Sequence, residues 1–268
     1  MVDDLKGLLA GHDDRMELDM AALNLATIEF PGLDFAPSLL ALDRFANDIA
    51  DRCRDLSDGR EFVRVANSYL FQEVGLRGNA DDYYNPRNSC LNEVLEGHLG
   101  IPITLSLVYI EIGRRLAKRV VGIGLPRHFI IEYNDGDYAA FIDPFHTGAI
   151  LSAEDCYRLA QVEDENPRLL APVRKQQIVM RMINNLRGIY FSQRSFDKAE
   201  KILDLLIDAN PDSAEEYKQR GLVRLQTRQL LDGKKDLQKY LTLNPNAEDK
   251  EEIQGQLHAI GKWLAALN

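Results

Sequence analysis

Over the first 118 residues the apolar positions recur every three to four residues, the spacing of amphipathic helices. Residues 19–30, DMAALNLATIEF, form a short candidate stopped by Pro31-Gly32. Residues 36–56 place Leu39, Leu40, Leu42, Phe45, Ile49 and Cys53 on a repeat close to 3.6, and Pro37 suits the first turn. Residues 60–76 make another helix, ended by Gly75. Residues 88–97 take Asn88 or Ser89 as N-cap, hold Cys90 in the first turn and stop at Gly97. Residues 102–118 open on Pro102 and are apolar on nearly every side, which predicts a helix enclosed at the centre of the fold.

The period then changes. Residues 119–125, 128–133 and 138–143 are rich in Val, Ile and aromatics and read as strands. Residues 152–161 return to helix, with Ser152 and Asp155 spaced as a capping box. Residues 163–172, EDENPRLLAP, are charged, carry two prolines and have no period, so they read as a linker. Everything beyond is helical and repeats. Asn-Pro recurs at 210–211 and 244–245, and the two prolines lie 34 residues apart, the tetratricopeptide period. Aligned on the prolines, Leu186, Tyr190, Ala199, Leu203 and Leu206 take the packing positions of one unit, and Tyr217, Gly221, Gly233, Leu237 and Tyr240 those of the next. Ala199, Gly221 and Gly233 fall where paired helices approach closely. Arg187 and Arg224 depart from the usual choices, and a last helix, 249–267, carries Ile253, Leu257, Ile260, Trp263 and Leu264 as a cap.

The strand region also holds candidate chemistry. Asp135-Gly136 is a strong two-residue turn signal. With those residues at the turn, Asn134 faces Asp137, paired residue numbers sum to 271, and His128 stands opposite Asp143. Cβ atoms so placed lie roughly 5 Å apart, within reach of an imidazole–carboxylate hydrogen bond. Such a bond fixes a tautomer and frees the other ring nitrogen as a general base. The plainer reading is a cross-strand pair that stabilises a hairpin.

The bulk numbers narrow the partners. A formal net charge of −10, from 32 basic and 42 acidic residues, argues against nucleic acid as the main partner. The longest apolar stretch, residues 100–113, is too short for a bilayer and contains Glu111, so no membrane partner is expected. Three cysteines, Cys53, Cys90 and Cys156, are too few for a disulfide framework and fit a reducing cytoplasm. The acidic N-terminus does not read as a signal peptide. Residues 122–127, GIGLPR, lack the third glycine of a dinucleotide loop. His12, His98, His146 and His258 show no metal-ligand spacing, so neither metal nor cofactor is expected; His146 either joins the His128 site or, as the plainer reading, is a loop histidine. Residues 81–88, DDYYNPRN, either line a cleft beside the hairpin or form an ordered loop.

A histidine opening one strand, and an aspartate followed by proline closing the next, resembles the transglutaminase-like fold. In that fold a cysteine at the start of a central helix precedes both. Residues 70–116, the stretch GIGLPRHFIIEY and IDPFHTG together resemble a bacterial transglutaminase-like core family with C-terminal tetratricopeptide repeats (invasion-regulator SirB-type proteins). The resemblance covers nearly the whole chain. It implies an α+β fold: a mainly helical, papain-like domain with a small antiparallel sheet over 1–162, a linker at 163–174 and a helical repeat domain over 175–268. It also sets Gly100 on the glycine of the family's Gly-x-Cys helix start and Pro102 on the cysteine. The His and Asp are kept and the thiol is absent. Arg127 and Ala117 stand where such proteins more often carry glycine.

Thr104 and Ser106, in the first turns of the same helix, could supply a hydroxyl only with an adjacent base, and backbone bonding is the plainer reading. Cys90 is the remaining candidate nucleophile, because a helix's first turn lowers a thiol's pKa. Cys53 and Cys156 fall on apolar faces. The candidate site is therefore His128, Asp143 and Cys90. The favoured function is a non-catalytic, regulatory interaction protein that offers a groove in its repeats to a protein or peptide. The alternative is a papain-like hydrolase or acyl transferase with an unconventional nucleophile.

Overall fold

The computed structural model describes residues 2–9, 17–162 and 166–266. The backbone falls into two units, one of residues 14–186 and one of residues 1–13 with 187–268. The sequence places its boundaries instead at 162 and 175. Helix α1 (Val2–Leu9) belongs to the repeat unit, buries Leu5, Leu8 and Leu9, and pairs Lys6 with Asp208 at 2.7 Å. His12, Leu264 and residues 163–165 of the expected linker lie outside the residues or side chains described.

The 14–186 unit begins with α2 (Leu18–Ala26), α3 (Ala36–Arg52) and α4 (Gly59–Asn67), the last running into a π-turn at Ser68–Glu73. A two-residue strand, β1 (Arg77–Gly78), a 3₁₀ turn at Pro86–Ser89, α5 (Leu91–Gly97) and β2 (Leu99–Gly100) lead to α6 (Pro102–Arg115). β1 and β2 pair in parallel. Helix α6 is enclosed, as its all-round apolar pattern predicts: from Pro102 to Gly113 only Ile110 is not fully buried. Its one charge in that stretch, Glu111, is 1% exposed. Arg114 Nε and Arg115 Nη1 both donate to Glu111 Oε2 at 2.8 Å, and Arg115 reaches on to Asp19 and Asp43. Burial pushes the Glu111 carboxyl up. Burial also opposes ionisation of Asp19, but Arg115 outweighs it and holds that carboxyl below its usual range.

After α6 come β3 (Val120–Ile123), β4 (Ile130–Asn134), β5 (Ala139–Asp143) and β6 (Ala149–Leu151), an antiparallel sheet in chain order. Strand β6 has no counterpart in the sequence reading, because three residues, two of them exposed, carry no alternation. The hairpin register also differs. Ile131 faces Ile142 and Asn134 faces Ala139, so paired numbers sum to 273, not 271. The cause is Asp135. Its Oδ1 accepts from the N–H groups of Asp137 (3.0 Å) and Tyr138 (2.8 Å), an Asx-turn that puts it at the first position of the turn. Gly136 (φ +97°) and Asp137 become the central pair, and a glycine at the first central position marks a type II′ turn. Helix α7 (Ala153–Ala160) starts at the capping box read from sequence, with Asp155 N–H donating to Ser152 Oγ at 3.1 Å. Beyond it the expected linker is laid along the sheet edge: Val173 N–H donates to Gly122 O at 2.9 Å.

Helix α8 (Lys175–Ser192) contains the unit boundary, followed by α9 (Phe196–Ala209), α10 (Ala214–Gln226), α11 (Leu230–Leu243) and α12 (Lys250–Ala266). The small residues do what the repeat asks. A Cβ on Gly221 would lie 2.9 Å from the Leu237 side chain, and one on Gly233 would lie 3.0 Å from Gly221 O. Arg224, the departure from the repeat pattern, has a partner that explains it. Buried Asp236 accepts from Arg224 Nη1 and from Arg220 Nη2, each at 2.8 Å. Among the described residues no helix is long and apolar enough to cross a membrane.

Crowding at Gly233 and open space at Gly255 in α12 give opposite expectations. Gly233→Val should destabilise the repeat unit by about 1–3 kcal/mol through overpacking. Gly255→Ala should stabilise it by about 0.5–1 kcal/mol through helix propensity. Urea denaturation of both variants checks the pair.

Candidate functional site

Asp143, the last residue of β5, is 1% exposed and uses both carboxylate oxygens. Proline follows it, and the chain turns back on itself. Oδ1 accepts from Phe145 N–H (3.0 Å) and His146 N–H (3.3 Å), an Asx-turn that folds residues 144–148 beneath the strand end. Oδ2 lies 2.9 Å from His128 Nε2 and 2.7 Å from His146 Nδ1. An ionised carboxylate only accepts, so both imidazoles donate to one oxygen. Burial opposes the charge on Asp143, yet the bonds from His128 and then His146 outweigh it and hold the carboxyl below its usual range.

The His128–Asp143 contact exists, but not as a cross-strand pair. Strand β4 starts at Ile130, so His128 stands ahead of it, in a turn where its N–H donates to Leu125 O. With the register at 273 the imidazole reaches diagonally. Arg181 fixes this turn: Nη1 donates to Leu125 O at 2.9 Å and Nη2 to His128 O at 2.7 Å. Arg127 holds φ +58° and Ala117 φ +53°, the left-handed region that glycine takes most easily. Both positions are those at which the resembling family more often has glycine.

For His146 the plainer sequence reading is a loop histidine, and the structure brings it instead to the same oxygen as His128. The signal was present in Asp-Pro-Phe-His, because an Asx-turn returns the residue three places on to the aspartate. The two imidazole rings lie 5.7 Å apart, with Phe145 edge-on to each. The loop is supported from behind. Asn67 Nδ2 donates to Gly148 O at 2.8 Å, and Gly148 (φ +75°) has no room for a Cβ, which would meet the Phe71 ring at 2.5 Å.

The segment 81–88 lies beside the site. Tyr83 packs edge-on to Phe145 at 6.1 Å, and Tyr84 is 71% exposed. Asn88 Nδ2 ties the segment down through Asp82 O (2.6 Å). The start of α6 is joined to the same region. Gly78 pairs with Gly100, two residues before Pro102, and Gly78 N–H donates to Phe145 O at 3.2 Å.

Cys90 is placed differently from its expectation. It is the N-cap of α5, one position before the first turn, with extended backbone, because the 3₁₀ turn at 86–89 takes up Asn88 and Ser89. It is fully buried, its Sγ is 3.5 Å from Pro86 O, and it is not part of the group gathered on Asp143. Burial, with Asp155 and Asp143 nearby, pushes the Cys156 thiol up to about 11, and Cys53 is also raised by burial. Thr104 Oγ1 lies 2.7 Å from Asn88 O and accepts from Ile101 N–H, which makes it a helix-start residue. Ser106 Oγ is buried and has no hydrogen-bond partner among the described residues.

Residues 37–184 match a transglutaminase-like superfamily domain, and residues 186–258 match a tetratricopeptide repeat. The chain belongs to the transglutaminase-like superfamily. A UPF0162 protein of Xylella fastidiosa is 31% identical over 253 residues, covering 91% of this chain and 90% of the relative. A UPF0162 protein of Vibrio cholerae is 26% identical over 71% of this chain and 73% of its own. F-box only protein 21 of Homo sapiens is 29% identical over 58% of this chain, but over only 26% of that protein. No solved structure matches.

The lowered Asp143 carboxyl sets a pH signature. A depressed folded-state value stabilises the fold fully above the unfolded carboxylate's value of about 3.9, and the contribution is lost as pH falls through the folded-state value. Asp143→Asn should cost about 1–3 kcal/mol at neutral pH, and the gap to the native chain should narrow below about pH 4. Thermal denaturation of both chains from pH 7 to pH 3 checks the sign.

Proposed function

We propose that this protein is a degenerate transglutaminase-like protein that acts as a regulatory interaction module, binding a protein or peptide partner through its tetratricopeptide repeats. The observation that carries the reading is Pro102. It is buried at the first position of α6, where the family's arrangement places a thiol, and it offers no nucleophile. The three cysteines give no substitute of the expected kind. Cys90 is buried with its sulfur at a backbone carbonyl, and Cys53 and Cys156 are held in their neutral form.

Two further facts support a module. Tetratricopeptide units stack into an extended surface suited to a peptide or helix, and this chain carries one over residues 186–258. The similarity to F-box only protein 21 spans about a quarter of that protein, so the shared region is there one part of a larger chain. The free state of all three cysteines and the acidic balance of the chain support a cytoplasmic setting.

The test is alkylation of each cysteine across pH, read by mass spectrometry in the native chain and in His128→Ala. The expected outcome is slow labelling of Cys90 and Cys156 in the folded protein and no change in His128→Ala. Fast labelling of Cys90 well below pH 8.5, the value of an ordinary thiol, that slows in the variant would overturn the reading. The chain would then be a cysteine hydrolase or acyl transferase.

A further inference from the structure

We infer that His128, Asp143 and His146 form a binding site for a divalent transition-metal cation of the zinc class. Each offers one ligand atom, and the three atoms lie within 4.8 Å of one another. Two imidazole nitrogens and one carboxylate oxygen are a borderline donor set. It suits Zn²⁺, Co²⁺ or Ni²⁺ and does not suit Mg²⁺ or Ca²⁺, which take oxygen shells. Three protein ligands also leave one tetrahedral position for water or another group.

The geometry is close to what such an ion needs. Metal–ligand bonds of about 2.0–2.2 Å set neighbouring ligand atoms roughly 3.3 Å apart in a tetrahedron. The two nitrogens lie 2.9 Å and 2.7 Å from Asp143 Oδ2. They lie within 4.8 Å of each other. Tetrahedral spacing therefore needs each nitrogen–oxygen contact to open by about half an ångström and the nitrogens to settle near the same roughly 3.3 Å separation. His146 has room for this, since its side chain is 58% exposed, and its open side gives the ion a way in. The carboxylate is already oriented, because Oδ1 is held by two backbone N–H groups and only Oδ2 faces the histidines. The Phe145 ring, edge-on to both imidazoles, shields one side.

Coordination requires each imidazole to present a lone pair where it now donates a proton. His128 takes its Nδ1–H tautomer and His146 its Nε2–H tautomer, and the cation replaces the two bridging protons. No proton is lost from a neutral ring. With the ion bound, His128 Nδ1 carries a hydrogen and is no longer a general base. The site therefore stands independently of any nucleophile.

The experiment uses the untagged full chain, stripped with chelator and titrated with Zn²⁺ and Co²⁺ by calorimetry, with metal content measured after dialysis. The expected result is one equivalent of either ion and visible Co²⁺ absorption of a low-coordinate nitrogen–oxygen site. His146→Ala removes an exposed ligand without disturbing the core. It should weaken binding by roughly a hundred-fold, since even outer-shell losses cost about ten- to hundred-fold. Asp143→Asn, with folding checked by circular dichroism, should do the same. His258→Ala, at an exposed position in α12, should change nothing. No saturable binding at micromolar metal would overturn the inference, as would binding that His146→Ala leaves intact.

Discussion

Helix α6 is apolar on nearly every side, and the unit around it exists to enclose it. A helix with no polar face cannot lie at a surface, so α2, α3, α5 and the sheet close over it. Enclosure brings a cost at Glu111, the one acid within. An uncompensated buried charge is very unfavourable, and the paired arginines at the helix end answer it by binding Glu111, Asp19 and Asp43 together. The charge network therefore orients α6 against α2 and α3. It also fixes where the N-terminus of α6 emerges, at the β1–β2 glycines and the loop after β5.

At that end a single carboxylate organises the chemistry. Asp143 uses one oxygen to build the loop and the other to gather the imidazoles. The loop's shape and the site's composition therefore depend on the same side chain. A histidine with only its family partner would be fixed in one tautomer with the other nitrogen free. Here a second histidine shares the oxygen, and the enclosed helix opens on Pro102. The arrangement sets two imidazoles on one carboxylate within a transglutaminase-like domain. A site is judged by its groups, not by the fold that carries them.

The repeat unit follows a simpler logic. Its helices approach closely because Gly221 and Gly233 carry no Cβ, and its buried Asp236 is answered by Arg220 and Arg224. Arg224 departs from the repeat pattern, and the partner that explains the departure sits on the neighbouring helix. Stacked repeats tolerate such exchanges, since each helix needs only to satisfy its immediate neighbours.

Local physics made much of this legible in the sequence. Hydrophobic period gave α6 and the repeat helices, because burial of a face depends only on spacing along the helix. The Ser152–Asp155 cap and the 34-residue repeat were readable for the same reason. Two features were decided by tertiary structure, and a third by a local choice between nearly equal turns. The hairpin register differs by two in paired-number sum because Asp135 Oδ1 accepts hydrogen bonds from two nearby backbone N–H groups and so takes the first turn position. The His128–Asp143 contact was expected from the wrong register, and it forms because Arg181, far along the chain, pins the turn that carries His128. His146 joined the site through a turn whose signal was local, but its meaning needed the strand end and the second imidazole in place. Sequence determines what each segment can bury and where it can turn. Only the folded chain decides which polar groups end on the same oxygen, because that depends on distances among segments whose spacing along the chain says nothing of their separation.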